Sequence, residues 1–174
     1  MSDLISSLPE LFFSSPSDLG EFSLIKADDL PDEYQSLLAH HDHMTVTVEA
    51  WHNSLVNVRV LKEHRDGHFY ARKILLTLQR DNTPVQYGIM RIDLSSLPEI
   101  VRMEIESQAL PLGRIMIRHH LLREVELCQL WQVKPGEELR VQLQLGDEPC
   151  IYGRTARILV EGKPVVELLE IVKP

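Results

Sequence analysis

The segment from Ile151 to Val172 constrains the fold most, because it has the pattern of two β-strands joined by a tight turn at Glu161–Gly162. Arg154 and Arg157 lie on the first strand, and the second carries a carboxylate, Glu170, in an otherwise apolar run. Burial removes the hydration of such a carboxylate unless a cation or a hydrogen-bonding ligand compensates. The pattern is therefore typical both of a general acid and of an ordinary edge strand.

The rest of the chain alternates between strand and helix signals. The alternating, β-branched pattern of strands occurs in residues 54–61, 68–78, 85–92 and 121–132. Helices are predicted to begin at Pro31 and at Ser95, and a short one to cover residues 112–120. Residues 43–49 and 135–146 are compatible with either structure. Helices inserted between paired strands predict an α+β domain with one antiparallel sheet.

The first 30 residues differ in composition, being rich in Ser, Pro and Asp. They are predicted to form an irregular arm with at most one short helical turn, over residues 8–13. No repeat or linker divides the remainder, and a chain of 174 residues is of the size of one domain. We therefore expect an arm over residues 1–30 and a single domain over residues 31–174.

The charge and hydropathy of the chain narrow the classes of partner. A net charge of −8 argues against nucleic acid or an anionic membrane as the main partner. No apolar run approaches the ~20 residues that span a bilayer, and the N-terminus lacks the pattern of a secretory signal. A cytoplasmic location is expected, with Cys128 and Cys150 as reduced thiols.

Histidines are concentrated in two places, residues 40–43 and residues 119–120. His40 and His43 have a spacing that suits a metal ion, but no third ligand is apparent, so a solvated helix end is expected instead. The second pair is explained by the dipole at a helix C-terminus. Neither cysteine has a nearby histidine, and no nucleophile elbow, P-loop or dinucleotide motif is present. The sequence predicts no metal site and no cofactor.

Arg72 lies in the strand Tyr70–Leu76 and, by the period of two, on the same face as Tyr70, Ile74 and Leu76. An arginine in line with three hydrophobic residues needs an anionic partner. That partner is either a protein carboxylate, for which Glu170 is a candidate, or a ligand.

Together these motifs resemble the chorismate lyase (chorismate pyruvate-lyase) family, and its less-studied bacterial and archaeal branch more than the enterobacterial enzymes. The resemblance covers residues from about 35 to 174. It is carried by His43-Met-Thr45, Tyr70-Ala-Arg-Lys-Ile-Leu-Leu76, Gly88, Pro111-Leu-Gly-Arg114, Tyr152-Gly-Arg-Thr-Ala-Arg157 and Gly162-Lys-Pro164, which is followed by a glutamate near the end.

The resemblance implies a single antiparallel sheet surrounded by helices, with the ligand enclosed under two helix-turn-helix flaps. It implies a cofactor-independent lyase that eliminates pyruvate from chorismate to give 4-hydroxybenzoate. Arg72 and Glu170 would be the catalytic residues, with Arg72 on a ligand carboxylate and Glu170 as the proton donor. The residues that would bind the substrate are Met44, Leu112, Gly113 and Gly88.

Several alternatives stay open on the sequence. Glu167 can replace Glu170 as the acid, and the insert at residues 134–149 can reshape the pocket or serve an oligomer contact. The protein can also be a lyase for a related enolpyruvyl or aromatic acid. A third possibility is a non-catalytic module of the same fold that binds a small aromatic acid. Such modules occur in transcription regulators next to a DNA-binding domain, for which residues 1–30 are too short.

Overall fold

One antiparallel β-sheet organises the part of the chain that the computed structural model describes, residues 3–121 and 123–174. Its strands are β1 (Gly20–Ile25), β2 (Val56–Asp66), β3 (Phe69–Leu78), β4 (Pro84–Asp93), β5 (Arg123–Pro135), β6 (Ile151–Val160) and β7 (Lys163–Val172). Within the described residues the sheet has seven strands in the spatial order β1-β5-β6-β7-β4-β3-β2, and all neighbours are antiparallel. The predicted α+β class with a single antiparallel sheet is confirmed.

Helices cover both faces of this sheet. They are α1 (Leu4–Ser7), α2 (Asp32–Leu38), α3 (Met44–His52), α4 (Glu99–Glu106), α5 (Leu112–Arg118) and α6 (Glu137–Gln142). Apolar residues of α2, α3, α4 and α5 pack in one hydrophobic cluster, and those of α1 and α6 pack in another. We call the face under α2–α5 the front face and the face under α1 and α6 the back face.

The central strands β3, β4 and β7 are apolar on both sides because both faces of the sheet are covered there. Along β3, Ile74 and Leu76 point into the front cluster, whereas Leu75 between them points into the back cluster. All three side chains are buried. A strand of this kind reads as a continuous apolar run, which explains why the strand predictions for β3, β4 and β7 were accurate.

The prediction that residues 1–30 are irregular is wrong in part. Gly20–Ile25 forms β1, which pairs with β5 in the register Gly20 to Pro135 and Ile25 to Leu130. A Cβ atom at Gly20 would lie 2.7 Å from the carbonyl oxygen of Lys134, so only glycine permits this approach. Leu4, Leu8 and Leu19 of the same stretch are buried in the back cluster. Leu30 of this stretch belongs to the front cluster, so the stretch is an integral part of the domain.

The two ambiguous segments are both helical at their centres. The Thr/Val alternation of residues 43–49 lies in α3, which ends at Asn53 in the left-handed conformation, with φ of 49°. Residues 137–142 form α6 on the back face. The helix predicted to begin at Ser95 begins later: Asp93 caps a short 3-10 turn, and α4 starts after Pro98.

The turn between β6 and β7 has the predicted position. Glu161 and Gly162 both have positive φ, 51° and 78°, as a two-residue hairpin turn between twisted strands requires. In the described part of the chain, no helix is long and apolar enough to cross a membrane.

Candidate functional site

A cavity lies between the front face of the sheet and the helices α3 and α5. Its apolar walls come from Val58, Ile74, Leu76, Met90, Ile158 and Leu168. Its polar side chains are His43, Thr45, Arg72, Gln86, Arg154 and Glu170. The volume of the cavity is about 30 Å³, which suffices for a few water molecules. An organic ligand therefore requires the covering helices to move outward.

Two helix pairs form the roof, and we call α2–α3 the first flap and α4–α5 the second flap. Gly113 at the start of α5 lies so close to the first flap that a Cβ atom there would be 3.0 Å from Thr45 Oγ1. Arg114 forms an ion pair with Glu49 of α3. Glu49 also accepts a hydrogen bond from the backbone N–H of Val56, at 3.0 Å. These contacts hold the two flaps together over the cavity.

The side chain of Glu170 points from β7 into this cavity and is paired with Arg154 of β6. Arg154 Nε donates to Glu170 Oε2 at 2.7 Å, and the two residues are 0% and 6% exposed. They are direct partners across the β6–β7 ladder. The guanidinium also donates to the carbonyl oxygens of His40, at 2.9 Å, and Asp42, at 3.0 Å. Arg154 thus connects the carboxylate to the loop that leads into α3.

Arg72 lies in the same cavity but is not the partner of Glu170. It faces Met90 in the β3–β4 ladder, whereas the ladder partners of Glu170 are Gly88 and Arg154. The expectation that Arg72 is matched to Glu170 is therefore wrong. The register between β6 and β7, which joins residues 16 positions apart, gives that place to Arg154.

The guanidinium of Arg72 is fully buried and only weakly satisfied. Its Nη1 and Nη2 donate to the carbonyl oxygens of Ile105 at 3.3 Å and Leu110 at 3.5 Å, and its Nε has no hydrogen-bond partner among the described residues. Burial lowers the pKa of Arg72, though an arginine stays protonated at any ordinary pH. The nearest carboxylate in the ladder, Glu63, is solvent-exposed and accepts a hydrogen bond from Tyr70.

Glu167, the alternative acid, points to the back of the sheet. It pairs with Arg91 at 2.8 Å, and both side chains are about a quarter exposed, at 25% and 28%. Glu167 and Glu170 are three residues apart on an unbroken part of β7, so they lie on opposite faces. Of the two, only Glu170 borders the cavity.

The four residues expected to bind the ligand are all close to the cavity. Met44 and Leu112 are the first residues of α3 and α5, and both line it together with Gly113. Gly88 lies in the floor between Ile74 and Glu170, where a Cβ atom would be 3.3 Å from the Ile74 side chain. The structure therefore brings together all the residues that the resemblance indicated, and their roles stay predictions.

The prediction that residues 40–43 form a solvated helix end is wrong for His43. This residue is 9% exposed and borders the cavity, and its Nε2 accepts a hydrogen bond from Arg123 Nε at 2.6 Å. Burial, and then the charge of Arg123, lower the pKa of His43 to about 4. The imidazole is therefore neutral near pH 7.

Other groups considered from the sequence lie outside the cavity. Within residues 3–121 and 123–174, no three His, Cys, Asp or Glu side chains are grouped so that they could hold a metal ion. Cys128 and Cys150 are not bonded to each other. Burial raises the pKa of Cys128, which makes it a poor nucleophile. The insert at residues 134–149 contributes α6 to the back face, and none of its residues lines the cavity.

Sequence reasoning missed two polar residues of the cavity, Arg154 and Gln86. Arg154 was noted only as part of a charged strand, and its importance depends on a ladder register that the sequence does not state. Gln86 is the one amide in the apolar run of residues 84–90, and it is 4% exposed. A single amide in such a run is the signal that could have identified it.

No protein-family model matches the sequence, and no curated protein matches it. Solved structures do match. A possible transcriptional regulator, YydK, of Bacillus subtilis is 12% identical, with a TM-score of 0.51 over 68% of this chain and 57% of that chain. A gene product of Staphylococcus aureus is 10% identical, with a TM-score of 0.50 over 68% and 82%. A GntR-family regulator of Bacillus cereus is 10% identical, with a TM-score of 0.46 over 68% and 92%.

At these identities the likeness shows the fold alone, and the chain spans little more than half of the Bacillus subtilis protein. The fold is chorismate lyase-like, as expected. The prediction of a chorismate pyruvate-lyase is wrong by this comparison, since the Bacillus subtilis protein that shares the fold is a possible transcriptional regulator. The alternative of a non-catalytic module agrees better with the comparison to the Bacillus subtilis protein.

Proposed function

We propose that this chain is a non-catalytic module that binds a small aromatic acid between the front face of the sheet and the two flaps. The observation that carries the proposal is that Arg72 is buried at the cavity without a carboxylate partner among the described residues. Its guanidinium is 0% exposed, borders the cavity and has no carboxylate partner within salt-bridge distance in the described chain. A buried cation in that state is stabilised by an anion in the cavity.

The chemistry of the anion follows from the geometry of the cation. A guanidinium offers a planar fork of N–H donors that suits a carboxylate, which can accept two parallel hydrogen bonds. Arg154 has the same charge but is already occupied by Glu170 and by two backbone carbonyl groups. Arg72 is therefore the anchor that is left for a ligand.

The apolar walls of the cavity favour a ligand with an aromatic ring. Ile74, Leu76, Met90 and Leu168 give it flat, apolar surfaces on the sheet side. The backbone N–H groups of Met44 and Leu112, at the first positions of their helices, have no acceptor among the described residues. They are available to polar atoms at the rim of the ligand.

Ligand entry requires the flaps to separate, since the cavity is small. The contact of Gly113 with Thr45 and the ion pair of Arg114 with Glu49 would then open, and the flaps would lie farther from the sheet over a bound ligand. A flap whose position differs between the free and the ligand-bound protein can transmit occupancy to another part of a protein. The likeness to a possible transcriptional regulator of Bacillus subtilis is consistent with such a regulatory use, and we propose the cytoplasm as its location.

Calorimetric titration with benzoate and 4-hydroxybenzoate tests the proposal. Both acids should bind, and benzamide, which lacks the charge, should bind far more weakly. Arg72→Lys keeps the charge but loses the fork, so it should weaken binding by about 1–3 kcal/mol. The matched control is Arg91→Lys on the back face, which should leave the affinity unchanged.

Two results would contradict the proposal. One is that the folded Arg72→Lys variant binds the acids as tightly as the wild type. The other is that neither acid binds nor raises the unfolding temperature at millimolar concentration. In either case Arg72 has a structural role, and the cavity is not a carboxylate site.

A further inference from the structure

A second buried polar group of the cavity, Gln86 on β4, has no partner among the described residues. The residue is 4% exposed, its side chain borders the cavity, and its Oε1 is buried without a hydrogen bond. Its Nε2 donates to none of the described residues either. A rotation of the side-chain amide by 180° exchanges the positions of its oxygen and nitrogen. The group can therefore offer a ligand in the cavity either an acceptor or a donor.

An unpaired buried amide is unfavourable, and native proteins nearly always satisfy such groups. Other buried polar side chains of the sheet follow that rule: Thr155 accepts from Trp131 Nε1 at 3.2 Å, and Arg154, although it also lines the cavity, is fully paired. In the cavity, Arg72 and Gln86 both depart from it. Two unsatisfied groups facing one cavity indicate a ligand with two polar ends.

The ladder registers place these groups at opposite ends of the cavity floor. Arg72 lies opposite Met90, and Leu76 lies opposite Gln86. Arg72 and Leu76 are four residues apart on β3. The two cross-strand rows, Arg72–Met90 and Leu76–Gln86, are therefore separated by about 13 Å along the strands. Glu170 lies in the row between them, opposite Gly88. A ligand that reaches both groups is therefore elongated.

The charges that border the cavity limit the charge of the ligand. Arg72 and Arg154 are cationic and Glu170 is paired with Arg154, which leaves an excess of one positive charge among the lining residues. His43 adds no charge near neutral pH, because it is buried beside Arg123. A ligand with one negative charge neutralises this excess, whereas a second carboxylate would lie unpaired at the Gln86 end.

We propose that the ligand is an elongated monocarboxylate whose far end carries a neutral hydrogen-bonding group, such as a hydroxyl, and that Gln86 selects for that group. This inference rests on the proposed function, since it assumes that Arg72 holds the carboxylate. It goes further in assigning Gln86 as the residue that determines specificity and in excluding dianions as preferred ligands.

A set of three probes tests the inference: 3-phenylpropionate, 3-(4-hydroxyphenyl)propionate and 3-(4-carboxyphenyl)propionate. The hydroxylated acid should bind the wild type about 10-fold more tightly than the other two, the scale of one buried hydrogen bond. Gln86→Met, which has a similar shape and no amide, should bind 3-phenylpropionate at least as tightly as the wild type and should lose the preference for the hydroxyl group. Gln79→Met is the matched control, because Gln79 is exposed and outside the cavity.

The outcomes separate this inference from the proposed function. If the acids bind with dependence on Arg72 but the wild type shows no preference for the hydroxyl group, the role of Gln86 is refuted and the carboxylate site stands. A preference that persists in folded Gln86→Met, or in Gln86→Leu if the first variant does not fold, also refutes it. Failure of all three acids to bind, while benzoate still binds, refutes the elongated ligand and leaves the carboxylate site; failure of benzoate as well overturns both proposals.

Discussion

Replacement of Arg154 by methionine should destabilise the protein strongly. Met is of similar length and apolar, so the substitution removes the charge without leaving a large void. It leaves the carboxylate of Glu170, 6% exposed, without its cation. It also removes the donors to the carbonyl oxygens of His40 and Asp42, which fix the loop before α3.

The magnitude follows from the burial of the pair. Removal of one partner of a buried ion pair costs about 3–5 kcal/mol, because the other charge stays buried and uncompensated. The pair Arg91–Glu167 provides the contrast, since its side chains are 28% and 25% exposed and solvent screens their interaction. Arg91→Met should therefore cost no more than about 1 kcal/mol.

Urea unfolding of the two variants, followed by circular dichroism, measures this difference. The double variant Arg154→Met/Glu170→Met should be more stable than Arg154→Met alone, because the second substitution removes the uncompensated carboxylate. The buried pair described above is refuted if Arg154→Met lowers the free energy of unfolding no more than Arg91→Met does. It is also refuted if the double variant loses the sum of what Arg154→Met and Glu170→Met lose singly.

Two further changes test His43 of the site and Gly153 of the sheet. As the pH falls from 6.5 towards 4, the unfolded chain takes up a proton at His43 that the folded protein excludes, since burial lowers the pKa of His43 from 6.5 to about 4. The wild type should thus lose up to about 3 kcal/mol in that window. His43→Gln should lack that part of the loss, and identical pH profiles of unfolding would contradict it. Gly153→Ala should cost about 1–3 kcal/mol, because the new Cβ atom would lie 2.7 Å from the carbonyl oxygen of Glu170. Thermal unfolding beside Gly146→Ala, where the nearest atom would be at 3.4 Å, checks this, and equal effects would refute the steric argument.

Much of the fold could be predicted from local patterns. The strands of the central sheet are long and apolar, and the turn at Glu161–Gly162 has residues suited to positive φ. β1 could not be predicted in this way, since its half-exposed residues form a strand only because β5 offers an edge. The Thr/Val alternation of α3 also misleads, because the flap packs Met44 and Val48 on one helical side.

The residues of the site could be predicted only where their position depends on the pattern of a single strand. The period of two correctly placed Arg72 on the same face as Ile74 and Leu76. The partner of Glu170 could not be found in that way. It depends on how β6 aligns with β7, and the sequence offers several arginines for the same carboxylate. Burial of His43 likewise results from the docking of a flap, which leaves no periodic signal.

The position of β7 has a consequence for synthesis on the ribosome. This strand is the last of the described strands in chain order but the middle one in space, with β4 on one side and β6 on the other. The blocks β2–β3–β4 and β1–β5–β6 share no ladder except through it. A nascent chain can therefore form each block early, but it cannot join them until residues 163–172 have emerged from the exit tunnel. Until then the inner edges of both blocks are open to pairing with other chains, which makes this stage of synthesis the one most prone to aggregation.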